Sequence, residues 1–148
     1  MKLVIDRSIR RAVAGKQSAS KRLATLERLV GEGKPIPQSL LKASGTGRAT
    51  AFAPYVALGL HHAKLDYSGS GGGDPLLVMQ RIGDDTLVSI ALTTHEDYAT
   101  SDHARCRRWL WENRHAIDWS ISQEAKLAFE ALENEFTSGN PSPPGSKK

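Results

Sequence analysis

The sequence predicts an α+β fold, in which basic N-terminal helices pack on a small antiparallel sheet and two further helices follow at the C-terminal end. The segment Leu76–Ile82, the turn Gly83–Asp85 and the segment Thr86–Leu92 read as a β-hairpin. Apolar residues recur at helical spacing both before this hairpin and after it. In its second strand both faces are apolar, which is typical of a central strand covered on both sides.

The chain has 148 residues, which predicts one domain. We expect this domain to span residues 1–136, with a helical extension from residue 101 and a disordered Pro/Ser/Gly-rich tail over 137–148. No apolar run is long enough to cross a membrane, and the first residues do not resemble a signal peptide, so a cytoplasmic protein without membrane contact is expected. The single cysteine, Cys106, excludes an internal disulfide.

The N-terminal region predicts a strand over Lys2–Ile5 and then two helices. The first helix can be capped by Asp6 or Ser8. The second helix begins near Ser18 or Ser20 and ends at Gly31 and Pro35. Its predicted apolar face comprises Leu23, Leu26, Leu29 and Val30.

The middle of the chain carries weaker signals. Ile36, Leu40 and Leu41 fit a short helix, and Ser44–Gly47 reads as a loop. The apolar segment Thr50–Leu60 contains a proline, so an edge strand or irregular structure is expected there. Residues 67–73 are rich in glycine and predict a mobile loop, since no phosphate-loop lysine follows.

Two amphipathic helices are predicted after Tyr98. The first can be capped by Ser101 or Asp102, and the second can begin at Ser120 or Ser122. The outer surface of the last helix is acidic, because glutamates occupy its polar positions.

Charge is distributed unevenly along the chain. Residues 1–50 contain 11 Lys/Arg and 3 Asp/Glu, a balance of +8, whereas the rest contain 9 and 13, a balance of −4. A basic half suits a polyanion such as nucleic acid or an acidic partner protein. Lys21, Arg22 and Arg28 on the second helix, with Lys64 further along, are the candidate RNA-binding residues.

The residues that could perform chemistry cluster around the predicted sheet. His95 follows the second hairpin strand and precedes Tyr98, and the pair His61-His62 lies upstream. Imidazole exchanges protons near neutral pH. Arg81 on the first hairpin strand could hold a phosphate or simply form a cross-strand ion pair, and Asp74 could orient a histidine or cap the turn with Pro75. No metal-ligand or cofactor motif is present, so neither is expected.

The pattern Asp-x-Leu-Leu-Val-x-x-x-Ile-x-Asp-Asp-x-Leu-Val starts at Asp74 and is followed, after a short strand, by Thr-His-x-Asp-Tyr. It resembles the C-terminal half of RelE/ParE-superfamily toxins, most closely the YafQ-like mRNA endonucleases of type II toxin–antitoxin systems. The resemblance covers residues 1–98 and is motif-grade over 58–98. The chain differs from the family pattern at Pro75, and residues 101–136 add helices that such small toxins usually lack.

This resemblance implies a toxin that cleaves mRNA without a metal, with the role of the ribosome left open, and that is neutralised by a cognate antitoxin protein. It assigns acid and base roles to His62 and His95, an orienting role to Asp74, and contact with the scissile nucleotide to Arg81 and Tyr98. The alternative is a ParE-like inhibitor that binds DNA gyrase or another protein without catalysis, since one fold serves both functions. A basic binding module with incidental histidines is the third hypothesis.

Overall fold

The computed structural model describes residues 1–65 and 75–138. It shows an α+β domain in which one five-stranded sheet has helices on both faces. The strands are β1 (Lys2–Val4), β2 (Leu41–Ala43), β3 (Leu60–Lys64), β4 (Pro75–Ile82) and β5 (Thr86–Thr94). The helices are α1 (Arg7–Ala14), α2 (Gln17–Gly31), α3 (Ala53–Ala57), α4 (His95–Tyr98), α5 (His103–Glu112) and α6 (Gln123–Glu133).

The sheet is mixed rather than purely antiparallel as expected. Its order is β1-β5-β4-β3-β2, and β2, β3, β4 and β5 pair antiparallel. β1 instead lies parallel to β5, with Leu3 opposite Leu87. Parallel neighbours require a long crossover, and here the crossover contains α1, α2 and the three middle strands. The hairpin prediction is confirmed, since β4 and β5 pair over Pro75–Thr94 and Gly83 adopts the positive φ that the turn needs.

One face of the sheet is covered by α1 and α2. The predicted apolar stripe of α2 is confirmed, since Leu23, Leu26 and Val30 are buried and Leu29 is half-buried. The cluster formed there is aliphatic apart from Met79, and it includes Ala63, Leu77 and Leu87 from the sheet. We call this side the aliphatic face.

The opposite face is covered by α3, α4, α5 and α6, and we call it the aromatic face. Its cluster contains Phe52, Tyr55, Tyr98 and Trp109. Asp102 caps α5 and Ser122 caps α6, two of the predicted alternatives. Residues 134–138 continue as a π-helical turn. The predicted tail beyond residue 138 and the predicted glycine-rich loop over residues 67–73 lie outside the described residues.

The sequence leaves strand or helix open over residues 36–60, and the structure contains both. Residues 41–43 form β2 instead of continuing a helix, because β3 offers them an edge with which to pair. Thr50–Leu60 contains α3, whose first turn accommodates Pro54 as its second residue, because N–H groups in the first turn of a helix have no intrahelical partner. No helix in the described ranges is long and apolar enough to span a membrane.

Candidate functional site

His62 lies on β3, one strand in from the β2 edge of the sheet, and faces the aromatic side. It is the third residue of β3, with Lys42 opposite on β2 and Val78 opposite on β4. Only 4% of its surface is exposed. The other histidine of the pair, His61, points to the opposite side, as alternation along a strand requires, and its Nδ1 lies 3.1 Å from the carbonyl oxygen of Gly59.

A chain of buried polar groups contacts the His62 ring. The Oγ of Ser44 lies 2.7 Å from Nδ1 of His62, and the hydroxyl of Tyr98 donates to the same Oγ at 2.8 Å. Tyr55 donates to the carbonyl oxygen of Tyr98 at 2.7 Å, and the two tyrosine rings stack with centroids 4.4 Å apart. The chain therefore links β2, β3, α3 and α4 beneath the aromatic face.

Gly45 explains why the loop after β2 can lie so close to α3. Its φ is +81°, a conformation that favours glycine, and a Cβ at this position would lie 2.5 Å from the carbonyl oxygen of Phe52. A larger residue would push the loop away from α3. The glycine thus keeps the neighbouring Ser44 within hydrogen-bond distance of His62.

A cavity of about 270 Å³ opens beside this chain. Its lining includes Lys42, Ser44, His62 and Tyr98, together with residues 45–47 and Thr50 of the loop that follows β2. This volume is near the lower end of the range for ligand pockets. It suits one small polar group rather than a large apolar ligand.

The charges around His62 are positive. Burial is the main cause that lowers its pKa to about 4, and Lys42, His95 and Lys64 lower it further. His62 is therefore a neutral imidazole at neutral pH. Burial also raises the pKa of Tyr98, so its phenol keeps its proton. Nε2 of His62 is buried and has no hydrogen-bond partner in the described part of the chain.

His95 begins α4, directly after β5, and is half-buried. Thr94 caps this helix, since its side chain accepts a hydrogen bond from the amide of Asp97 at 3.3 Å. The ring centroids of His95 and His62 are 6.2 Å apart, with the rings nearly perpendicular. The structure thus brings together the two histidines that the resemblance pairs.

Two of the expected site residues lie elsewhere or are inaccessible. Arg81 is on β4 at the end remote from His95, where it donates to the carbonyl oxygen of Asp84 in the hairpin turn at 2.8 Å. At about 3.3 Å per residue, six residues separate it from Pro75 by about 20 Å. Tyr98 has no exposed surface, so it cannot stack on a base, and its hydroxyl instead donates to Ser44. Asp74 lies outside the described residues.

The four predicted RNA-binding residues have different environments. Lys21 is exposed on α2. Arg22 donates to the carbonyl oxygens of Lys64 at 2.6 Å and of Ser39 at 3.0 Å, so it holds β3 to the segment before β2. Arg28 lies 3.4 Å from Glu32 in an exposed ion pair. Lys64 is the residue of this group that adds positive charge near His62.

Sequence reasoning missed Ser44 and Lys42. Ser44 lies in a segment that reads as an ordinary Ser-Gly-Thr-Gly loop, and its two partners are 18 and 54 residues away. Lys42 would have been found had residues 41–43 been predicted as a strand beside β3. The Gly45 position offered a signal, because a glycine next to a polar residue often marks a close approach of two segments.

A larger cavity of about 610 Å³ lies between β5 and α5. Its ionic side chains are of both signs, and Arg105 lies 3.8 Å from Asp97. This mixed charge does not select a polyanion. No cluster of metal-ligating side chains occurs in the described ranges.

The chain was compared with family models, curated proteins and solved structures, and nothing in any of the three sets matches it.

Proposed function

We propose that this protein is a metal-independent endoribonuclease and acts as the toxin of a type II toxin–antitoxin system. The observation that carries the proposal is the pair of histidines, His62 and His95, whose ring centroids are 6.2 Å apart, with His62 lining a cavity to which Lys42 adds a positive charge. The element order of strand, two helices and antiparallel strands agrees with the resemblance and adds support.

The reaction would proceed by attack of the ribose 2′-oxygen on the adjacent phosphorus. The 2′-hydroxyl must lose a proton, the bond from phosphorus to the 5′-oxygen breaks, and the leaving 5′-oxygen must gain a proton. The products are a 2′,3′-cyclic phosphate and a 5′-hydroxyl. No metal is required if protein groups move the proton and stabilise the charge on phosphorus.

His95 is the residue placed to move protons. It is half-exposed, so it can contact both substrate and solvent. Its position at the junction of β5 and α4 is fixed by the Thr94 cap. Rings with centroids 6.2 Å apart can both contact one phosphodiester, since each hydrogen bond spans about 2.7–3.0 Å.

Lys42 and Lys64 would supply positive charge for the RNA backbone. Lys42 lies on β2 opposite His62, and Lys64 lies on β3 two residues after it, on the same face of the sheet. The charge of each lysine lowers the pKa of His62. Binding that depends on such charges should weaken as salt rises, because counterions released from RNA favour association. The basic N-terminal half extends this attraction.

The test combines an RNA cleavage assay with expression in bacteria. Purified protein is incubated with RNA and EDTA, and new 5′-hydroxyl ends are mapped. We expect cleavage by the wild type, and His95→Ala should lower the rate by about 100-fold or more because general acid–base catalysis contributes that much. His115→Ala is the matched control, since His115 is exposed on the turn Arg114–Ala116.

Two outcomes would contradict the nuclease proposal. RNA left intact by the wild type, both with and without ribosomes, would remove it. Growth arrest on expression without new mRNA ends, and unaffected by His95→Ala, would favour a ParE-like inhibitor of gyrase or another protein. If a short reading frame adjoins the gene, its co-expression tests the antitoxin, and growth should then be restored.

A further inference from the structure

We infer that Ser44 is a positioning residue that holds neutral His62 with its proton on Nε2, so that His62 serves as a fixed hydrogen-bond donor to a phosphate oxygen. The catalytic part of this inference rests on the proposed nuclease function. The tautomer itself follows from the buried hydrogen bonds alone.

The tautomer follows from which acceptor each buried hydroxyl proton has. In the described residues, the hydroxyl of Tyr98 has Ser44 Oγ as its partner, so its proton points to that oxygen. Ser44 Oγ therefore accepts from Tyr98 and has one proton of its own to donate. The remaining partner of Ser44 Oγ is Nδ1 of His62, at 2.7 Å.

The hydroxyl protons of Ser44 and Tyr98 both have an acceptor only if Nδ1 of His62 accepts from Ser44. Were Nδ1 protonated, it would donate to Ser44, and a buried hydroxyl proton of Ser44 or Tyr98 would have no acceptor. Leaving such a group unsatisfied is unfavourable. A neutral imidazole that accepts at one nitrogen carries its proton on the other, so the proton lies on Nε2.

The Nε2 atom then matches a phosphate oxygen. It is the buried side-chain atom without a partner in the described residues, and its ring lines the cavity. A neutral donor beside the positive charge of Lys42 complements an anionic acceptor. The depressed pKa of His62 supports this role, since a ring that stays neutral near Lys42 and Lys64 does not compete with them for the anion.

The roles of the two histidines consequently differ. A neutral His62 that lost its Nε2 proton would become an imidazolate or would draw a proton from the buried hydroxyl chain, and burial raises the pKa of Tyr98. His62 is thus a poor proton carrier but a good stabiliser of charge on phosphorus. His95 takes the proton from the 2′-hydroxyl and returns it to the leaving 5′-oxygen, so protons balance.

The experiment is long-range ¹H–¹⁵N correlation spectroscopy on the full chain labelled with ¹⁵N-histidine at neutral pH, with the His62 signals assigned by their loss in His62→Gln. We expect the wild type to carry the proton on Nε2, and Ser44→Ala to lose this preference. Added inorganic phosphate should shift the Nε2 signal of the wild type more than that of Ser44→Ala. Cleavage by Ser44→Ala should fall about tenfold or more, as when an oxyanion-stabilising donor is weakened.

Two further variants separate positioning from general stability. Tyr98→Phe also removes one buried hydrogen bond but leaves Ser44 to donate to Nδ1, so the Nε2–H tautomer should persist. Ser44→Thr keeps the hydroxyl and should restore the tautomer lost in Ser44→Ala.

A wild-type proton on Nδ1 would overturn the inference even if Ser44→Ala failed to fold. So would an unchanged tautomer in folded Ser44→Ala. Intact RNA together with a wild-type Nε2–H tautomer would instead remove the nuclease proposal and leave the hydrogen-bond chain standing.

Discussion

The two faces of the sheet are built from different side chains. The aliphatic face buries leucine, isoleucine, valine and alanine against α1 and α2, with Met79 as the exception. The aromatic face buries three different kinds of aromatic ring and most of the buried polar side chains, among them Ser44, His62 and Gln80. Both faces belong to the same strands. The aromatic rings come from the covering segments, whereas His62 and Gln80 come from β3 and β4 themselves.

This difference separates what stabilises the domain from what can perform chemistry. Aliphatic contacts are non-directional, so many combinations of similar volume are tolerated. Hydrogen bonds among buried groups are directional, and each missing partner is costly. Gln80 illustrates the second case, since its amide nitrogen donates to the carbonyl oxygens of Leu58 at 3.0 Å and Asp118 at 2.8 Å, and its oxygen accepts from the amide of Asp118 at 2.8 Å.

The largest effect is expected from Leu26→Ala on the aliphatic face. Leu26 is fully buried in α2, and leucine-to-alanine changes in cores destabilise by about 3 kcal/mol because they lose apolar burial and leave a cavity. Urea denaturation monitored by circular dichroism measures the change. If the two faces act separately, the folded fraction of Leu26→Ala should keep the His62 tautomer and the RNA cleavage rate of the wild type. A changed tautomer, or a lower cleavage rate after correction for the folded fraction, would show that the two faces are coupled.

The second prediction concerns pH and acts on the aromatic face. His62 has a folded pKa of about 4 against an ordinary value of 6.5, so the unfolded chain binds the extra proton between these values. Stability should therefore fall as pH decreases from 6.5 towards 4 and should not change further from this cause below 4. Between pH 7 and pH 5 the loss is about 2 kcal/mol.

Urea denaturation of the wild type and of His62→Gln at several pH values checks this. The variant should show a flatter dependence by about the stated amount. His61, whose pKa is also lowered chiefly by burial, contributes equally to both proteins and cancels in the difference. Parallel curves for the two proteins would show that His62 does not remain neutral in the folded state.

The sequence predicted the aliphatic face better than the aromatic one, for a physical reason. The stripe of Leu23, Leu26 and Val30 is periodic, and the hairpin is set by local turn chemistry, so both can be read from short windows. His62 and His95 were expected to lie close together, because the resemblance pairs them and His95 follows the second hairpin strand. Ser44 contacts His62 only because β2 pairs with β3, and that pairing has no local signature. Arg81 was grouped with the site through the resemblance, although the predicted hairpin places it beside the turn, at the end of β4 remote from His95.

The smallest effect is expected from Tyr55→Phe, which separates the role of Tyr55 from that of Ser44 on the aromatic face. The change removes the hydroxyl that donates to the carbonyl oxygen of Tyr98 but keeps the stacked ring. That carbonyl oxygen still lies 3.5 Å from the thiol of Cys106, so it retains one donor, and the cost should be about 1 kcal/mol in urea denaturation. The His62 tautomer should be unchanged, because Tyr55 bonds the backbone of Tyr98 and not the hydroxyl chain. A tautomer change would mean that the tyrosine stack, rather than Ser44, sets the proton position.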